Sequence, residues 1–75
     1  MMATVRDFSV DDLNVIRPHD EVDATVRLIE CNGEKFVQID TFGRPDRETP
    51  SKLSQTIRLD EAAFRKLVTL GSKHF

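Results

Sequence analysis

The sequence predicts a small α+β domain: an antiparallel β-sheet of about four strands with one C-terminal helix packed on one face. Asn32-Gly33 lies between two alternating stretches, a third alternating stretch runs from Leu53 to Leu59, and a helical stripe follows Asp60. Together these place the strands first and a single helix last.

The elements follow in order. The N-terminal third is the least regular. Thr4–Val10 fits an edge strand; alternatively Ser9 followed by Asp12 reads as a helix N-cap with Val10 and Leu13 opening a stripe, or Leu13-Asn14-Val15-Ile16 forms a strand ended by Pro18. A polar connection over Asp20–Asp23 leads into a hairpin from about Ala24 to Phe42. Asn-Gly is the preferred pair for a two-residue type I′ turn, because both positions need positive φ. That turn fixes a register: Cys31 faces Glu34, Glu30 faces Lys35, Ile29 faces Phe36, Leu28 faces Val37, Arg27 faces Gln38 and Val26 faces Ile39. The opposite charges of Glu30 and Lys35 support it. One face then carries Ala24, Val26, Leu28, Val37 and Ile39 and must be covered. The other carries Thr25, Arg27, Gln38 and Asp40, with Ile29 and Phe36 as an apolar pair near the turn. From Gly43 through Ser51, Gly43, Pro45 and Pro50 break regular structure, while Arg44, Asp46, Arg47 and Glu48 keep the loop in water. In the strand that follows, Leu53, Ile57 and Leu59 share one side and Ser54, Thr56 and Arg58 the other. Asp60 suits a helix N-cap and Glu61 its first turn. Ala63, Phe64, Leu67 and Val68 form the stripe, continued roughly by Leu70, with Gly71 expected as C-terminal cap and Lys73 beside the negative end.

The chain reads as a single domain over residues 1–75, with an acidic N-terminal segment over 1–23 and a sheet-plus-helix core over 24–70. A hydrophobic content of 39% with 32% charged residues describes a globular chain, neither disordered nor membrane-embedded. No apolar run is long enough to span a bilayer, and the start lacks the apolar stretch of a secretory signal, so a cytoplasmic location is expected. Cys31 is the single cysteine and has no internal disulfide partner. A chain this small, without a staple, gains core by pairing with a second copy, so a homodimer is expected. No base is spaced to activate Cys31, no Ser/His/Asp arrangement occurs, and the three glycines read as turn or cap residues, so no enzymatic activity and no cofactor are expected. His19-Asp20-Glu21 with Asp23 lacks the spacing of a defined metal site and reads as a solvated turn. The net charge of −2 is unevenly spread: residues 1–23 hold six acids and two bases, leaving seven acids and nine bases for the rest. The hairpin-to-helix half is therefore mildly basic.

Three stretches carry a resemblance: Ala24-Thr25-Val26-Arg27, Val37-Gln38-Ile39-Asp40-Thr41-Phe42, and Ile57-Arg58-Leu59-Asp60-Glu61 leading to Phe64 and Leu67. Over Ala24 to about Leu70, roughly two-thirds of its length, the chain resembles the single-stranded-DNA-binding domain of the transcriptional coactivator positive cofactor four and its small bacterial relatives. The resemblance implies a curved four-stranded antiparallel sheet with a C-terminal helix, a homodimer, and single-stranded DNA held by basic and aromatic side chains. It also implies a place in transcription or DNA maintenance. Arg27, Phe36, Gln38, Phe42, Arg44, Arg47 and Lys52 fall in the matching regions, and Phe64 stands at the family's aromatic helix anchor. Asp40 occupies a place where the family usually has a base, and Gln55-Thr56 replaces its usual Lys-Gly. An acid at that place is expected to work against a polyanion.

The residues themselves offer the same chemistry. Arg44, Arg47 and Lys52 are three cations in one loop, able to meet phosphates or to be offset by Asp46 and Glu48. Ile29, Phe36 and Phe42 suit base stacking, or equally a second small core or a dimer contact. Ser54, Gln55, Thr56 and Arg58 present hydroxyl, amide and guanidinium donors, as any wet strand face does. The expected nucleic-acid-binding set is Arg27, Phe36, Gln38, Phe42, Arg44, Arg47, Lys52, Gln55 and Arg58, contacting single-stranded DNA or RNA. The alternative is a protein-interaction or regulatory module on the same fold, motivated by the net negative charge, Asp40 and the apolar pair Ile29–Phe36.

Overall fold

A computed structural model describes residues 2–42 and 53–75. Its elements run β1 (Met2–Val5), β2 (Ala24–Cys31), β3 (Glu34–Phe42), β4 (Leu53–Leu59) and α1 (Glu61–His74). The four strands form one sheet in the order β1-β4-β3-β2.

The hairpin β2–β3 turns on Asn32 and Gly33, at φ of 52° and 78°. Both values lie in the left-handed region that the mirror-image turn demands. The pairs run from Ala24–Thr41 to Cys31–Glu34 and include every pair anticipated from the turn. β3 continues antiparallel with β4, pairing Val37 with Leu59, Gln38 with Arg58, Ile39 with Ile57 and Asp40 with Thr56. The ladder slips between Thr41 and Phe42, so strict alternation does not extend to Phe42.

The fourth strand corrects the all-antiparallel expectation. β1 pairs parallel with β4, from Met2–Thr56 to Val5–Leu59, and the sheet is mixed. The strand is also earlier and shorter than the stretch Thr4–Val10, and residues 6–23 contain no helix or strand. Parallel neighbours cannot be joined by a tight turn and need a long crossover. Here the chain leaves β1 at the Leu59 end of the sheet, and residues 6–23 bring it to β2 at the opposite edge.

The helix begins as its cap residue dictates. Asp60 is extended, at φ −75° and ψ 178°, and its Oδ1 accepts from the Ala63 backbone N–H at 2.8 Å. Glu61 and Arg65 pair one turn apart at 2.8 Å. Gly71 does not end the helix; the chain stays helical to His74, and the Phe75 N–H donates to Gly71 O at 3.0 Å. No helix among the described residues is long and apolar enough to cross a membrane.

Alternation and register give the sheet two faces. The apolar face carries Val26, Leu28, Val37, Ile39, Ile57 and Leu59; the polar face carries Arg27, Gln38, Asp40, Thr56 and Arg58. α1 meets β3 and β4, where Leu59 and Ala63 are the buried apolar residues among those described. Cover of the apolar face is therefore partial. Val26, Leu28 and Ile57 stay exposed, as do Phe64, Leu67 and Val68 on the helix.

An added Cβ at Gly33 meets nothing within 4 Å, so Gly33→Ala tests the turn's backbone conformation alone. The substitution should destabilise the fold by about 1–2 kcal/mol, the usual cost of a side chain in the left-handed region. A lower urea midpoint with unchanged slope is the expected reading; an unchanged midpoint would place the hairpin's stability elsewhere.

Candidate nucleic-acid interface

The polar face is built by one row of residues and the pair beside it. Arg27, Gln38 and Arg58 are register partners across β2, β3 and β4. Thr25, Asp40 and Thr56 form the next row on the same face. Period-two alternation thus brings both guanidiniums to one side.

Asp40 organises the centre. It is only 3% exposed, and its neighbour Thr56 on the same face is buried with it. Its Oδ2 accepts from Arg27 Nε at 2.8 Å and its Oδ1 from Thr56 Oγ1 at 2.9 Å. Gln38 Nε2 donates to Oδ1 at 3.0 Å and to Oδ2 at 3.2 Å. Gln38 Oε1 in turn accepts from Arg58 Nε at 2.8 Å. Burial pushes the Asp40 carboxyl upward. The hydrogen bonds from Thr56, Arg27 and Gln38, with the charge of Arg27, outweigh that effect and hold it below the usual carboxylate range. Asp40 therefore stays ionised, and each polar atom buried among the described side chains has a partner.

Arg27 remains accessible, its side chain 56% exposed. Among the described residues, Arg27 and Arg58 each hydrogen-bond through Nε, leaving both Nη atoms of each free for an outside acceptor. Beside Arg58 a hollow of about 300 Å³ is lined by Met2, Ala3, Thr4, Gln38, Thr56 and Arg58.

The remaining expected residues are placed unevenly. Phe36 shares the polar face, paired with Ile29, and is half-buried. Its ring is covered by Arg6, whose Cζ lies 5.6 Å from the ring centroid. Arg6 also pairs with Glu34 and, at 3.3 Å, with Asp60, while Lys66 holds Asp7 at 2.9 Å. The N-terminal segment is thus clasped to the hairpin tip and helix start. Gln55 pairs with Thr41 in the rows of the apolar face, opposite Arg27 and Arg58. Phe42 is half-buried at the strand end, beyond the slip, with its N–H donating to Asp23 O at 3.3 Å. Arg44, Arg47 and Lys52 lie outside the described residues.

Two interactions were not foreseen from the sequence, the Arg27–Asp40 bond and Arg6 over Phe36. Asp40 sits diagonal to Arg27 in the hairpin, so the register held the signal that the acid anchors the base. Arg6 is 30 positions from Phe36 in the chain, and no local pattern links them. Among the described residues no three His, Cys, Asp or Glu side chains gather in a way that could hold a metal ion.

Because Asp40 binds its proton less readily when folded than when unfolded, its contribution to stability is present above the ordinary carboxylate value of about 3.9. It is lost as pH falls through the lower folded value. The stability difference between the native chain and Asp40→Asn, large at neutral pH, should shrink as chemical unfolding is repeated below about pH 4. A difference that stays constant into strong acid would show that the carboxylate's charge does not hold the network.

Comparison of the chain with protein-family models, with curated proteins and with solved structures gave no match.

Proposed function

We propose that the protein is a non-enzymatic module that binds single-stranded nucleic acid, DNA or RNA, across the polar face of its sheet, working as a homodimer. The observation that supports it is the convergence of Arg27 and Arg58 in one row, each anchored through Nε and not through its Nη groups. Guanidinium forks suit phosphate oxygens, and Phe36 on the same face offers a ring for stacking once Arg6 moves aside. The network answers the objection that Asp40 raises: the acid is buried and paired and does not face the ligand. Such a surface favours binding with little sequence preference and strong dependence on salt. A role in transcription or DNA maintenance fits that chemistry.

Pairing is favoured by the open apolar surface. A chain whose buried apolar residues among those described are Leu59 and Ala63 has little core of its own, while Val26, Leu28, Phe64, Leu67 and Val68 lie exposed on sheet and helix. A second copy laying its helix and sheet on these would give both a shared core. The same exposed residues favour the second reading, a protein-interaction module whose partner is a different chain.

Fluorescence anisotropy with a labelled oligo-dT of about 20 nucleotides at low salt tests the main reading, with duplex as control. Binding should fall steeply with salt, and Arg27→Ala and Arg58→Ala should each weaken it about tenfold or more. No binding at about 100 μM protein would overturn it, since even weak non-specific association lies near that range. Sedimentation equilibrium should find a dimer that Leu67→Asp dissociates; a folded native monomer would return the apolar surface to a foreign partner.

A further inference from the structure

The members of the polar network have unequal parts. Gln38 shares an Nε2 N–H between the two Asp40 oxygens and accepts from Arg58 at Oε1, so its amide is held at both ends. Thr56 gives its hydroxyl proton to Asp40 and is itself buried. The charged donors that the network leaves available are the Nη groups of Arg27 and Arg58. Each guanidinium is held by Nε alone, which fixes its plane and leaves a two-pronged fork. Their backbones stand two strands apart in one row, or about 10 Å at ordinary strand spacing.

We infer that Asp40 is a positioning residue that fixes Arg27 directly, and Arg58 through Gln38, as two preset forks for backbone phosphates of one strand running across β2, β3 and β4. This rests on the nucleic-acid reading and adds to it: the ligand group recognised is the phosphodiester, not the base edge, and the acid aids binding. Two effects of Asp40 oppose each other. As a charge it repels a polyanion, but it is 3% exposed and Arg27 lies on it, so little of that field reaches the ligand. As an anchor it orders two long side chains before the ligand arrives. Ordering one such side chain at the moment of association typically weakens affinity by roughly 2- to 12-fold. Ordering therefore outweighs repulsion.

The sign of one substitution separates these effects. Asp40→Asn removes an acid, so charge alone would tighten binding to the oligo-dT probe. Released forks would instead weaken it by roughly 2- to 12-fold for each fork, with the salt slope falling by about 0.7 for each phosphate let go. Gln38→Met changes no charge, frees Arg58 and leaves Asp40 its bonds from Arg27 and Thr56, so it should shift affinity and slope the same way by a smaller step. An abasic strand of equal length should keep the native slope. Failure of the native chain to bind would overturn the nucleic-acid reading and this inference together. Native binding with Asp40→Asn equal or tighter, at unchanged slope, would overturn the inference alone, as would loss of the slope with the abasic strand. Circular dichroism checks that Asp40→Asn folds; if it does not, Gln38→Met decides, and unchanged affinity and slope there would overturn the inference.

Discussion

A carboxylate cannot be taken out of water on a sheet face unless donors replace the water it loses. Asp40 meets that condition with donors from three strands: Arg27 on β2, Gln38 on β3 and Thr56 on β4. The rest of the polar face follows from it. Arg27 lies where Asp40 draws it, Gln38 is turned so that its amide donates inward, and its carbonyl oxygen is left to catch Arg58. The acid that looked like an obstacle to binding an anion is what sets the two cations in order. The bonds that bury it reach across three strands.

The opposite face shows a different constraint. Leu59 and Ala63 close a small contact where the helix leaves the sheet, but β2 is left uncovered, with Leu28 83% exposed. Between the hairpin's turn end and the first turns of α1 lies a cleft of about 950 Å³, lined in part by Leu28, Val37, Leu59 and Phe64. Apolar residues on both walls of an open cleft mark a surface suited to association. The sheet thus carries a bonded polar network on one face and a partly uncovered apolar surface on the other. The N-terminal clasp, through Arg6 and Asp7, ties β1 to the hairpin and the helix start.

Legibility in the sequence followed the range of the interaction. The hairpin register was readable because a two-residue turn permits one pairing, and Asn32-Gly33 names the turn. Asp60 announced the helix because capping is a local bond to Ala63. Gly71 misled, since glycine signals a cap only where the chain departs from the helix, and here Ser72, Lys73 and His74 continue it. β1 was unreadable as a parallel neighbour of β4 because that pairing joins residues more than 50 positions apart with no turn between them. At the site, alternation alone gathered Arg27, Gln38 and Arg58, and the same alternation put Gln55 on the other face. The burial and bonding of Asp40 were not legible because they depend on a diagonal neighbour and on donors from three strands. Arg6 over Phe36 depends on the path of an irregular segment, which no period reveals.

The claim on which all this depends is that one buried carboxylate holds both guanidiniums still. Nitrogen-15 spectra of the arginine Nε–H groups observe that directly, because a hydrogen-bonded Nε–H exchanges slowly with water while a free one does not. The native chain should show protected, dispersed Nε–H signals for Arg27 and Arg58 that collapse toward the free-guanidinium position in Asp40→Asn, while the Arg65 signal, bonded to Glu61, stays unchanged. Arg27 and Arg58 signals already averaged with the freely exchanging arginines in the native chain would contradict it.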